Sequence, residues 1–152
     1  MEPDLTALDD HLADHDVDGY LIDADSTDPN QRYLSGFDAP DPFLTCYTPD
    51  GLAVLVSGLE YGRAVGESHA DTVKRPADYD RRQLVAEHGS TAANHRVKSA
   101  FLADCGVDSV VVPDRFPLAT ADGLREQGHT VSVDHADALM EVRAVKTSDE
   151  ID

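Results

Sequence analysis

The 152-residue chain has no tryptophan, two cysteines, and lysine only at Lys74, Lys98 and Lys146. Cys46 and Cys105 lie far apart in sequence with no C-x-x-C partner, which argues against a disulfide framework or a zinc knuckle and for free, buried thiols. No apolar run approaches the roughly 18 to 20 residues of a membrane span. The opening "MEPDLTALDD" is acidic where a secretory signal would be basic and then apolar. A soluble, cytoplasmic protein is expected. G-x-S-x-G, P-loop and G-x-G-x-x-G motifs are also missing, so the residues advertise no nucleotide site and no serine nucleophile.

What the chain has in excess is negative charge: 30 Asp and Glu against 12 Lys and Arg, a formal net charge of −18. Such a surface gains nothing from counterion release on nucleic acid, which is excluded as a partner. Acid dominated by Asp resembles a salt-adapted haloarchaeal composition, in which hydrated carboxylates maintain solubility while salt screens their repulsion.

Helix and strand signals alternate along the chain. Leu5, Leu8 and Leu12 recur at helical spacing after Pro3, predicting a helix over 3–15. "VDGYLIDA" (17–24) reads as a strand, and "FLTCYT" and "LAVLV" flank "PDG" (49–51) as a hairpin. "DTVK" (71–74) is a short strand, and residues 80–88 and 91–104 are helical, the second stopped by Gly106. "SVVVP" (109–113), a helix over about 116–127 ended by Gly128, and "HTVSVD" (129–134) complete the pattern. The fold class is α/β, a mixed β-sheet flanked by helices.

Candidate chemistry is thin. His11 and His15 stand one helical turn apart, a spacing that can ligate zinc, but no Glu follows the first His and the helix is expected to be solvated there. His69, His88, His95, His129 and His135 are scattered and expected at the surface. The tail "KTSDEID" places Thr147 and Glu150 in capping-box spacing, the start of a helix with almost no helix after it.

Three stretches carry a family resemblance. "NQRYLSGF" (30–37), "VLVSGLEYGRA" (54–64) and "ALMEVRAVKTSDEID" (138–152), with Arg143 and Lys146, occur in the order and spacing of the creatinase/prolidase amino-terminal domain. That domain precedes the pita-bread catalytic domain of Xaa-Pro peptidases. The resemblance implies an N-terminal domain over 1–142 with a ribonuclease H-like motif, and a junction over 143–152 that begins the first helix of a catalytic domain. It implies homodimerisation, a peptide substrate for the full-length protein, and two divalent metals (Mn, Co or Zn) in the catalytic domain. No cofactor, catalytic residue or metal ligand maps onto this chain. Alternatives are a stand-alone peptide-binding module and the N-terminal domain of a creatinase-like amidinohydrolase. "DAPDPFLTCY" (38–47) departs from the glycine-rich or arginine-bearing approach of many relatives.

Tyr33, Leu34 and Phe37 are expected to be packing anchors, with Gly36 as a positive-φ stop. Glu60 and Tyr61 open a helix after Ser57 and Gly58, and Arg63 is expected to pair with a surface carboxylate. Tyr33, Phe37, Glu60 and Tyr61 are the candidates for a substrate rim or dimer contact.

Overall fold

The computed structural model describes residues 6–134. Pro3, Leu5, His135 and the whole 138–152 stretch, with Arg143, Lys146, Thr147 and Glu150, lie outside the described residues.

The elements run α1 (Thr6–Asp14), β1 (Gly19–Ala24), α2 (Pro29–Ser35), β2 (Phe43–Thr48), β3 (Gly51–Leu55), α3 (Tyr61–Glu67) and β4 (Thr72–Lys74). A 3₁₀ turn (Pro76–Tyr79), α4 (Arg81–His88), α5 (Ser90–Asp104), β5 (Ser109–Val112), α6 (Leu118–Glu126) and β6 (Thr130–Val133) follow. The strands form one six-stranded sheet in the order β4-β3-β2-β1-β5-β6. β2 is antiparallel to both neighbours, with Cys46 opposite Leu21 on β1 and Ala53 on β3, while the β1/β5, β5/β6 and β3/β4 pairs are parallel. The expected mixed sheet is therefore present, and the expected hairpin closes on the Thr48–Gly51 pair.

Alternation along the strands separates two faces. Leu21, Leu44, Cys46, Leu55, Val110 and Val112 pack with Val97, Phe101 and Leu102 of α5 and with Leu124 of α6. Tyr20, Ile22, Tyr47 and Val111 point the other way, onto Leu8 and Leu12 of α1 and Leu34 of α2. Each large side chain so enclosed contributes about 1.5–3 kcal/mol relative to remaining in water.

α2 shows why local sequence suffices in places. Asp28 accepts N–H bonds from Asn30 (2.9 Å) and Gln31 (3.0 Å), Pro29 fills the first turn, and Gly36 ends the helix at φ +63°. The buried Gln31 then donates to the carbonyls of Ala24 (2.9 Å) and Phe43 (2.7 Å), tying the helix to the ends of β1 and β2. Gly106 (φ +73°) and Gly128 (φ +97°) stop α5 and α6 as their positions predict.

Candidate functional site

Two regions gather the side chains of interest. The first surrounds α3. Phe37 is buried in a cluster with Phe43, Val54, Val56 and Ala64, against which Tyr61 and Val73 pack. Arg63 joins this cluster to the surface. Its guanidinium lies 5.2 Å from the Phe37 ring centroid, pairs with Glu60 and Glu67, and donates to the Asp38 carbonyl at 2.9 Å. Arg75 sits 4.8 Å over the Tyr61 ring. Three of the four sequence candidates, Phe37, Glu60 and Tyr61, are thus brought together. Tyr33 is not among them; it packs on the α1–α2 side of the sheet.

The outer side of α3 is uncovered. Leu59 is 95% exposed and Val65 59%, and a Cβ added at Gly58, Gly62 or Gly66 would meet nothing within 4 Å. The adjoining loop is held by Ser26, whose hydroxyl lies 2.7 Å from Asp38 Oδ1 and 2.8 Å from the Ala39 carbonyl oxygen and donates its one proton between them. This is how the aspartate-bearing and proline-bearing approach to β2 is fixed.

The second region is a pocket of about 320 Å³ at one end of β2, β3 and β4, lined by Cys46, Thr72, Lys74, Phe101, Asp104 and Cys105 among others. Both thiols are free, Cys46 buried and Cys105 half-buried at the C-cap of α5. Far apart in sequence, they line the same pocket, with Cys105 packed against the core cluster that contains Cys46. The side-chain hydrogen bond between them holds the Cys46 thiol well above its ordinary range, with burial adding to the effect. The same bond lowers Cys105, helped by Lys74 and opposed by burial and by Asp104. Nearby, burial and then the 2.7 Å bond to Asp104 raise the Tyr79 hydroxyl. Nothing in a single sequence signals this pairing, because it depends on how α5 lies across β2.

Four histidines, His11, His69, His95 and His129, are less exposed than expected. His11 is not on a solvated face: its side chain is 12% exposed and its Nε2 lies 3.4 Å from the buried Asp134, which also accepts from Tyr20. His15 stacks on His11 at 4.1 Å, and its Nδ1 is 3.0 Å from the His11 carbonyl oxygen. His69 fills the space left by Gly36, and His95 that left by Gly123. His129 is also largely buried and bonds Ser99 at 2.8 Å. Ser99, His129 and Asp108 form a line, but the Asp108 carboxylate is 4.0 Å from His129 Nδ1, whose closer partner is the Asp108 backbone carbonyl at 3.1 Å. That geometry is a fastening between α5 and the β6 approach rather than a nucleophile. Among the described residues His15 and His88 are exposed as expected. Among the described residues no group of three or more His, Cys, Asp or Glu could hold a metal ion.

The described residues form an α/β/α layered domain in which β2 runs antiparallel to both of its neighbours. The chain belongs to the creatinase/prolidase N-terminal domain family, whose profile matches residues 5–145. Among solved structures it resembles the aminopeptidase P of Streptococcus thermophilus (16% identity, TM-score 0.61, 91% of this chain and 94% of that one). It also resembles the prolidase of Pyrococcus horikoshii (17%, 0.64, 91% of this chain but 34% of that one). A third is the N-terminal domain of the cytoplasmic peptidase PepQ of Mycobacterium tuberculosis (16%, 0.60, 90% and 95%). The chain therefore spans about a third of the Pyrococcus protein. At these identities the likeness establishes the fold. No curated protein matches the chain in sequence. No described helix is long and apolar enough to cross a membrane.

Proposed function

We propose that this chain serves as the non-catalytic amino-terminal domain of a cytoplasmic Xaa-Pro dipeptidase or aminopeptidase P-like metallopeptidase. In this reading it supports homodimerisation and shapes peptide access to an active site carried by a C-terminal catalytic domain. The observation that carries the reading is the family match over residues 5–145, joined to solved relatives of the same fold named as Xaa-Pro aminopeptidases and prolidases. In this reading two divalent metals (Mn, Co or Zn) belong to the catalytic domain.

The uncovered side of α3 is the surface this role needs. Leu59 and Val65 present apolar area to solvent, while Phe37, Tyr61 and Arg63 stiffen the helix from behind. The test is Leu59→Asp in the whole encoded protein. Sedimentation should show weakened self-association, and KM should change for longer Xaa-Pro peptides while the melting temperature stays unchanged. An unaltered mass in solution together with unaltered KM values would remove this face from the proposal.

A further inference from the structure

We infer that Cys46 and Cys105 form a reversible dithiol–disulfide site, oxidised by a hydroperoxide that enters the pocket they line. Four observations converge. Cys105 packs against the core cluster that contains Cys46, which brings two thiols remote in sequence to one place in the fold. Both line a pocket of about 320 Å³, large enough to admit a small peroxide. Lys74, in the same lining, places an ammonium beside the thiols, while Asp104 partly offsets it at 3.8 Å from the Lys74 Nζ. Finally, the two cysteines differ in freedom. Cys46 is locked in β2 between β1 and β3, whereas Cys105 caps the end of α5 and precedes Gly106, around which a Cβ would meet nothing within 4 Å. A fixed thiol and an adjustable one are what ring closure needs.

The asymmetry assigns the order of events. Cys105, half-exposed and the more easily ionised, attacks the peroxide: an S–O bond forms, the O–O bond breaks, and the departing oxygen leaves as water or alcohol after taking a proton. Cys46 then attacks the sulfenic sulfur, the S–S bond forms, the S–O bond breaks, and hydroxide leaves with the Cys46 proton as water. Two thiols lose two electrons and one hydroperoxide gains them. The product would fasten the centre of the sheet to the end of α5, and a dithiol reductant would reverse it.

Stoichiometric hydrogen peroxide added to the 152-residue chain tests this, with thiols counted after denaturation and the product mapped by mass spectrometry. The inference expects loss of both thiols, a mass lower by two hydrogens, a linked Cys46–Cys105 peptide, and full recovery with dithiothreitol. Cys46→Ser should accumulate a dimedone-trappable sulfenic acid on Cys105. Cys105→Ser should leave Cys46 reacting about tenfold or more slowly than Cys105 does. Intermolecular dimers alone, irreversible sulfonic acid alone, or equal reactivity of the two single variants would overturn it. If a variant fails to fold, the peptide map of the unsubstituted chain decides alone: linkage supports the site, and two intact thiols refute it.

Discussion

Asp18, just ahead of β1, accepts the backbone N–H of Ser109 at the start of β5 at 3.1 Å. The same carboxylate oxygen accepts the Asp108 N–H at 2.9 Å, and the Asp18 N–H returns a bond to the Ser109 carbonyl at 3.0 Å. One side chain thus registers two parallel strands that are remote in sequence. The bonds from Asp108 and then Ser109 hold the Asp18 carboxyl below its ordinary value. A depressed folded pKa gives stability that is present above the unfolded value, about 3.9, and lost as pH falls through the folded one. Because the carboxylate is largely solvated, its contribution is discounted to about 1 kcal/mol. Asp18→Ala should lose about that much in urea unfolding at pH 7, with the gap to the parent closing as pH drops below about 3.9. A gap independent of pH would show that the charge plays no part.

Gly36 and His69 make a second pair. The glycine sits at φ +63°, and His69 occupies the volume its Cβ would need. Gly36→Ala combines left-handed strain with displacement of a packed ring, and should cost about 2–3 kcal/mol. Thermal unfolding that shows no loss would mean that the ring moves freely.

Thr45 lies wholly buried in β2, its hydroxyl without a hydrogen-bond partner, between Ile22 and Val54 on the flanking strands. A desolvated hydroxyl is a cost that valine removes at nearly the same shape. Thr45→Val should therefore stabilise the domain by about 1 kcal/mol. Destabilisation in denaturant titration would reveal a hidden partner for the hydroxyl.

With a net charge of −18, the folded domain repels itself at low ionic strength. Its melting temperature should climb as potassium chloride is raised toward molar concentration, where the Debye length is about 3 Å. A flat profile would separate the acidic composition from salt adaptation.

Much of the fold is legible because its signals are local. Asp28-Pro29 starts α2, Gly36, Gly106 and Gly128 mark stops, and Pro49 with Gly51 frames the hairpin. The site is less legible because its partners meet only through the sheet order. β1 lies between β2 and β5, which brings Asp18 to Ser109, and α5 packs on the sheet face that carries Cys46, which brings Cys105 into the same cluster. His11 illustrates the same limit: helical spacing gives its neighbour His15, but Asp134 comes from the far end of the described chain. Phe37 and Leu34 are legible as anchors because apolar residues around a helix stop have few places to go but the core.

The central claim is that this domain supports a metallopeptidase without performing its chemistry. The most direct measurement is hydrolysis of an Xaa-Pro dipeptide, with manganese and with chelator, by the purified 152-residue chain and by the whole encoded protein side by side. The account predicts chelator-sensitive cleavage by the whole protein and none by the 152-residue chain. Cleavage by the isolated chain, or a whole protein that ignores Xaa-Pro peptides and hydrolyses creatine instead, would contradict it.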